Sequence, residues 1–74
     1  MAAGPEMWNA FIAHLEKMAA RLRVELEPYK SGTQRVSRRA GDDWVDITVE
    51  RTQQIEREIE SLESTIARTR KDHA

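Results

Sequence analysis

The chain has no cysteine, only two prolines and three glycines, and few aromatic residues: two tryptophans, one tyrosine and one phenylalanine in 74 positions. Each shortage excludes something. Without cysteine no disulfide reinforces the fold and no thiolate holds a metal, which suits a reducing compartment. With so little glycine, and that little scattered, no glycine-rich loop cradles a phosphate. Charge of one sign is also missing. Twelve Lys and Arg stand against thirteen Asp and Glu, a formal net charge of −1. That balance gives no long-range pull toward nucleic acid or anionic lipid. No apolar run approaches the ~18 residues of a membrane span. The opening Met1-Ala2-Ala3-Gly4-Pro5-Glu6 lacks the basic start and apolar stretch of a secretion signal. A cytoplasmic location is therefore the default expectation.

What the chain does have is periodicity. Trp8, Ile12, Leu15, Ala19, Leu22, Leu26 and Tyr29 alternate in steps of four and three. That spacing is an unbroken heptad repeat, and it lines one stripe of a helix. Gly4-Pro5-Glu6 reads as the start of that helix: Gly at the cap, Pro at the first helical position, an acid in the first turn. Pro28 reads as its stop, because the residue before a proline is pushed out of the helical region. The first helix is thus expected over about 5–27. Phe11 and Met18 widen its stripe on one flank, beyond what a two-stranded seam needs.

A second helix is expected over about 48–71. Thr48 has a hydroxyl that can cap it, and Asp46 is the rival cap. Ile55, Ile59, Leu62 and Ile66 continue the same alternation, with Thr48, Thr52 and Thr69 at weaker seam positions. Arg68, Arg70 and Lys71 suit the negative end of that helix. Between the two lies a connector over 28–47, long for a compact domain. Gln34 to Arg38 and Trp44 to Ile47 have the pattern of short extended segments, with Ala40-Gly41-Asp42-Asp43 as the turn. Either a small β-hairpin forms there, or the connector is a functional or mobile loop.

The fold class expected is all-α: one small domain over 1–74, a coiled-coil-like two-helix antiparallel hairpin. The stripes match with Trp8 opposite Ile66, Ile12 opposite Leu62, Leu15 opposite Ile59 and Ala19 opposite Ile55. Leu22 then faces Thr52 and Leu26 faces Thr48, and Glu6 comes near Arg68. A slide by one heptad matches as well. A bare pair of helices leaves its stripes partly wet. Because the first helix carries the wider stripe, it is expected to pack on a copy of itself as a four-helix homodimer. Trp8, Phe11, Ile12, Leu15, Met18 and Leu22 are the candidate interface.

No motif points to an enzyme, a cofactor, a metal or a small-molecule substrate. His14 lies on the polar side of the first helix and His73 one residue from the end, without a ligand set around either. Glu56, Glu58, Glu60 and Glu63 spread around a helix instead of converging. No serine sits in a nucleophile elbow. The one basic stretch holds Lys30, Arg35, Arg38 and Arg39 with no acid among them. These residues, with Trp44, are the candidate contacts to phosphates or to another partner. Asp42, Asp43 and Asp46 follow at once and can fold back on the arginines, and Trp44 can stack on one of them. Trp44 and Tyr29 are also suited to plug the open end of the helix pair. The polar side of the first helix mixes Glu16, Lys17, Arg21, Arg23, Glu25 and Glu27, unlike the basic face of a helix lying on a membrane. The leading expectation is a small homo-oligomeric protein–protein interaction module, whose partner is itself or another protein. The runner-up is a nucleic-acid-associated regulator that uses the connector.

Overall fold

The computed structural model describes residues 4–73. Its order is α1 (Pro5–Ser31), β1 (Ser37–Ala40), β2 (Asp43–Asp46) and α2 (Thr48–His73). It is mostly helical, with a small antiparallel sheet of two strands between the helices. Among the described residues no helix is long and apolar enough to cross a membrane.

α1 begins as the sequence suggests. Gly4 is extended (φ −73, ψ 166) and Pro5 takes the first helical position. The helix does not stop before Pro28; it runs on to Ser31 and ends at Gly32, whose φ of 80 is left-handed. Pro28 has no N–H to give Val24. Val24, however, is exposed, so water can take the freed carbonyl. The extra turn puts Tyr29 against Leu26, Ile55 and Ile59. Burial of that ring outweighs the local preference of a pre-proline residue. Gly then supplies the left-handed cap, and the Gln34 N–H donates to the Pro28 carbonyl at 3.0 Å.

That extra turn carries a second correction. The helices pack antiparallel, but one heptad away from the favoured register. Ile12 and Leu15 meet Ile66 and Leu62. Leu22 and Leu26 meet Ile55 and Ile59 instead of Thr52 and Thr48. Trp8 lies on His73, ring centroids 3.7 Å apart and 6° from parallel, and not on Ile66. Seam threonines cost little here, because their hydroxyls bond back into their own helix: Thr52 to the Thr48 carbonyl at 2.7 Å and Thr69 to that of Thr65 at 2.8 Å. The ion pairs follow the same register. Glu16–Arg70, Arg23–Glu63 and Glu25–Arg51 join the helices; Glu6–Arg68 is not among them.

The connector folds as a hairpin shorter than the sequence pattern suggests. Ser37 pairs with Asp46, Arg38 with Val45, Arg39 with Trp44 and Ala40 with Asp43. Gly41-Asp42 alone makes the turn. Gly41 has a φ of 66 while, among the described residues, no non-glycine residue has a positive φ, which is the type II′ pattern of a tight hairpin. One more bond, the Ile47 N–H to the Val36 carbonyl at 2.9 Å, carries the ladder to the foot of α2. All eight strand residues are exposed. The molecule is 58 Å long, whereas a helix of this length spans about 40 Å. The hairpin therefore stands off the end of the helix pair as an arm.

Candidate interaction surfaces

The joint between arm and helix is built on Thr48 and Asp46. Asp46 wins the role of cap: its Oδ1 accepts the Thr48 N–H at 2.9 Å and the Thr48 hydroxyl at 2.6 Å. Thr48 is buried, and its Oγ1 also accepts the Val36 N–H at 2.9 Å. Arg35 closes the joint by a two-pronged contact to Asp46 Oδ2, with Nε at 2.8 Å. The two Thr48 bonds first, and the Arg35 guanidinium after them, hold the Asp46 carboxyl at about 2, below its ordinary 3.8.

This joint uses up part of the basic stretch. Arg35 pairs with Asp46, as the fold-back reading expects, and Arg39 Nε donates to the Gly41 carbonyl at 3.1 Å. Lys30 lies in the last turn of α1, away from the arm's strands. Arg38 is exposed on β1. Trp44 faces Arg39 across the ladder but is 69% exposed. It does not plug the end of the helices, because the arm extends away from them. Tyr29 alone packs there.

The candidate dimer residues divide in two. Ile12 and Leu15 are buried in the seam between α1 and α2, and Leu22 packs on α2. Trp8 is taken partly by His73 and partly by Phe11, whose ring stands edge-on to it at 6.4 Å. Phe11 and Met18 stay about two-fifths exposed, and Met7, which the sequence reading passed over, is 64% exposed. Met7 lies four residues before Phe11, on the same flank. Stepping back from Phe11 by one turn, four residues, finds it. Beside them on α2 is the half-buried Leu62.

The helix pair thus has two unlike open sides. On one, Glu16–Arg70 and Arg23–Glu63 reach across from helix to helix over Ala19, Ala20 and Ala67. On the other, Met7, Phe11 and Met18 form an apolar strip, with Glu25–Arg51 at its far end. Among the described residues no three His, Asp or Glu side chains gather as metal ligands do. No protein family, curated protein or solved structure matches the chain.

Proposed function

We propose that the protein is a homo-oligomeric protein–protein interaction module, and that its contact surface is the apolar side of α1. The observation that carries this reading is the strip Met7, Phe11 and Met18, left open beside Leu62 after the seam has taken Ile12 and Leu15. Large apolar side chains in a contiguous exposed row are characteristic of interaction surfaces. Covering a side chain that is already half buried contributes about 1 kcal/mol, half the value for full burial. The association is therefore weak and concentration-dependent. Sedimentation from micromolar to millimolar protein tests it. A mass rising toward the dimer, and held at the monomer by Phe11→Asp, is expected. A monomer throughout, with the helices intact by circular dichroism, overturns the reading.

The runner-up is contact with nucleic acid through the arm, which the exposed Trp44 beside Arg38 and Arg39 favours. The engagement of Arg35 by Asp46 weighs against it. Salt-sensitive binding to random duplex DNA, lost on Arg35/Arg38/Arg39→Ala, is the outcome that supports it. No binding at low salt removes it. A cytoplasmic location and a non-enzymatic role belong to the same proposal.

A further inference from the structure

The apolar strip lies on one helix only, and this constrains how a second copy can sit on it. Phe11, Met18 and Glu25 recur at heptad spacing down the open flank of α1. Arg51, Glu58, Thr65 and Asp72 recur in the same way down the adjoining flank of α2. The Glu25–Arg51 bond, at 3.0 Å, ties the two flanks together and fixes their levels. The open side is therefore apolar along α1 and polar along α2, apart from Leu62.

Two hairpins that stack face to face have two possible twofold axes. An axis along the helices lays α1 on the partner's α2. Phe11 then meets Thr65 and Met18 meets Glu58, which takes an exposed carboxylate out of water against a thioether. An axis across the helices lays α1 on α1 and α2 on α2, each pair antiparallel. Phe11 of each copy then meets Met18 of the other. At the same levels Glu58 meets Thr65, and Arg51 meets Asp72, which makes no ion pair within the chain among the described residues. Apolar meets apolar, and the one charged pair at these levels, Arg51 with Asp72, is of opposite sign.

We propose that the occupant of this surface is a second copy bound about an axis that crosses the helices between Phe11 and Met18. The two β-hairpin arms then point away from each other at the ends of a four-helix rod. The exposed Trp44 of each arm is left clear of the interface. Such a dimer presents two identical arms to its surroundings, so whatever the arms touch is met bivalently. This proposal rests on the dimer reading above, and one experiment separates the failure of either.

The chain has no cysteine, so Lys30→Cys introduces a single site for a nitroxide label at the exposed end of α1. Dipolar spectroscopy then measures the distance between labels in the assembled protein. With the axis across the helices, the two sites lie at least about 45 Å apart, set by the helical rise from the strip's centre. With the axis along the helices they lie at one level, about 30 Å apart or less. Asp72→Arg weakens the crosswise dimer about 2–10-fold in sedimentation, because Arg51 of the partner then faces a like charge. A long distance together with weakening by Asp72→Arg is the expected result. A dimer with the short distance, indifferent to Asp72→Arg, overturns the crosswise arrangement and leaves the dimer reading standing. A labelled protein that stays monomeric at millimolar concentration overturns both.

Discussion

Replacing Thr48 with valine keeps the side chain's shape and removes its hydroxyl. In the native chain Oγ1 accepts the Val36 N–H at 2.9 Å and donates to Asp46 at 2.6 Å, with only 6% of the residue exposed. Valine fills the space but leaves the Val36 N–H without a partner at a part-buried position. An unsatisfied group of this kind costs about 1–3 kcal/mol. The low exposure favours the middle of that range, about 2 kcal/mol. A domain of this size has roughly 4–11 kcal/mol of stability in all. Each kcal/mol shifts its melting point by about 4–8 °C, so Thr48→Val should melt about 10 °C lower by circular dichroism at 222 nm. Thr48→Ser, which keeps the hydroxyl, should recover most of that. Local exchange sharpens the test. The Val36 amide, and the Ile47 amide bonded to the Val36 carbonyl, should lose protection before the middle of α2 does. If Thr48→Val melts within a degree or two of the parent and Val36 stays protected, the joint does not depend on this hydroxyl, and the arm is held by its own turn.

Four further outcomes follow from the same structure. Ile55 has no exposed surface and sits between Leu26 and Ile59; Ile55→Ala should cost about 2–5 kcal/mol and leave a large unfolded fraction by denaturant titration. The Asp46 carboxyl is held at about 2, below its ordinary 3.8. Its contribution is therefore complete about one pH unit above 3.8 and lost as the pH falls through about 2, and acid titration of Asp46→Asn should lack that part of the loss. Gly41→Ala forces a residue with a Cβ into a φ of 66. It should cost the arm about 1–2 kcal/mol, read as faster amide exchange in β1 and β2 with the helices unchanged. Pro28→Ala restores an N–H facing the Val24 carbonyl inside α1 and should raise the melting point by several degrees; a fall would show that the proline stabilises the chain by stiffening its unfolded state.

The seam was legible because its evidence is local. Any window of α1 from Trp8 to Tyr29 shows the alternation, and α2 repeats it from Ile55 to Ile66. The rival caps were legible for the same reason: Asp46 and Thr48 lie within one turn of the helix start, and the structure caps with Asp46 while the Thr48 hydroxyl takes the Val36 N–H. Register is another matter. A heptad stripe looks the same after sliding by a heptad, so nothing within either helix separates the two alignments. What separates them is the length of α1. Pro28 is a stop only while its neighbourhood is considered alone. Tyr29, one residue beyond, gains a place against Leu26, Ile55 and Ile59 if the helix continues. That gain involves residues far along the chain, and a local rule cannot weigh it.

The same reasoning explains the shape of the candidate surface. The six candidate contact residues lie on or beside one stripe, and a stripe is used once. Ile12 and Leu15 lie in the seam, as they do in either register, here against Ile66 and Leu62, so they are not available to a partner. Only the side chains displaced from the stripe toward the Arg51–Asp72 flank stay open, and these are Phe11 and Met18, joined by Met7. The opposite flank is bridged by Glu16–Arg70 and Arg23–Glu63. There the charge pairs span the helices over Ala19, Ala20, Ile66 and Ala67. The two sides of one helix pair therefore have different work. One is tied across by exposed ion pairs within the chain. The other has Met7, Phe11 and Met18 left exposed among the described residues, and Arg51 and Asp72 toward its ends match those of its own copy turned end for end.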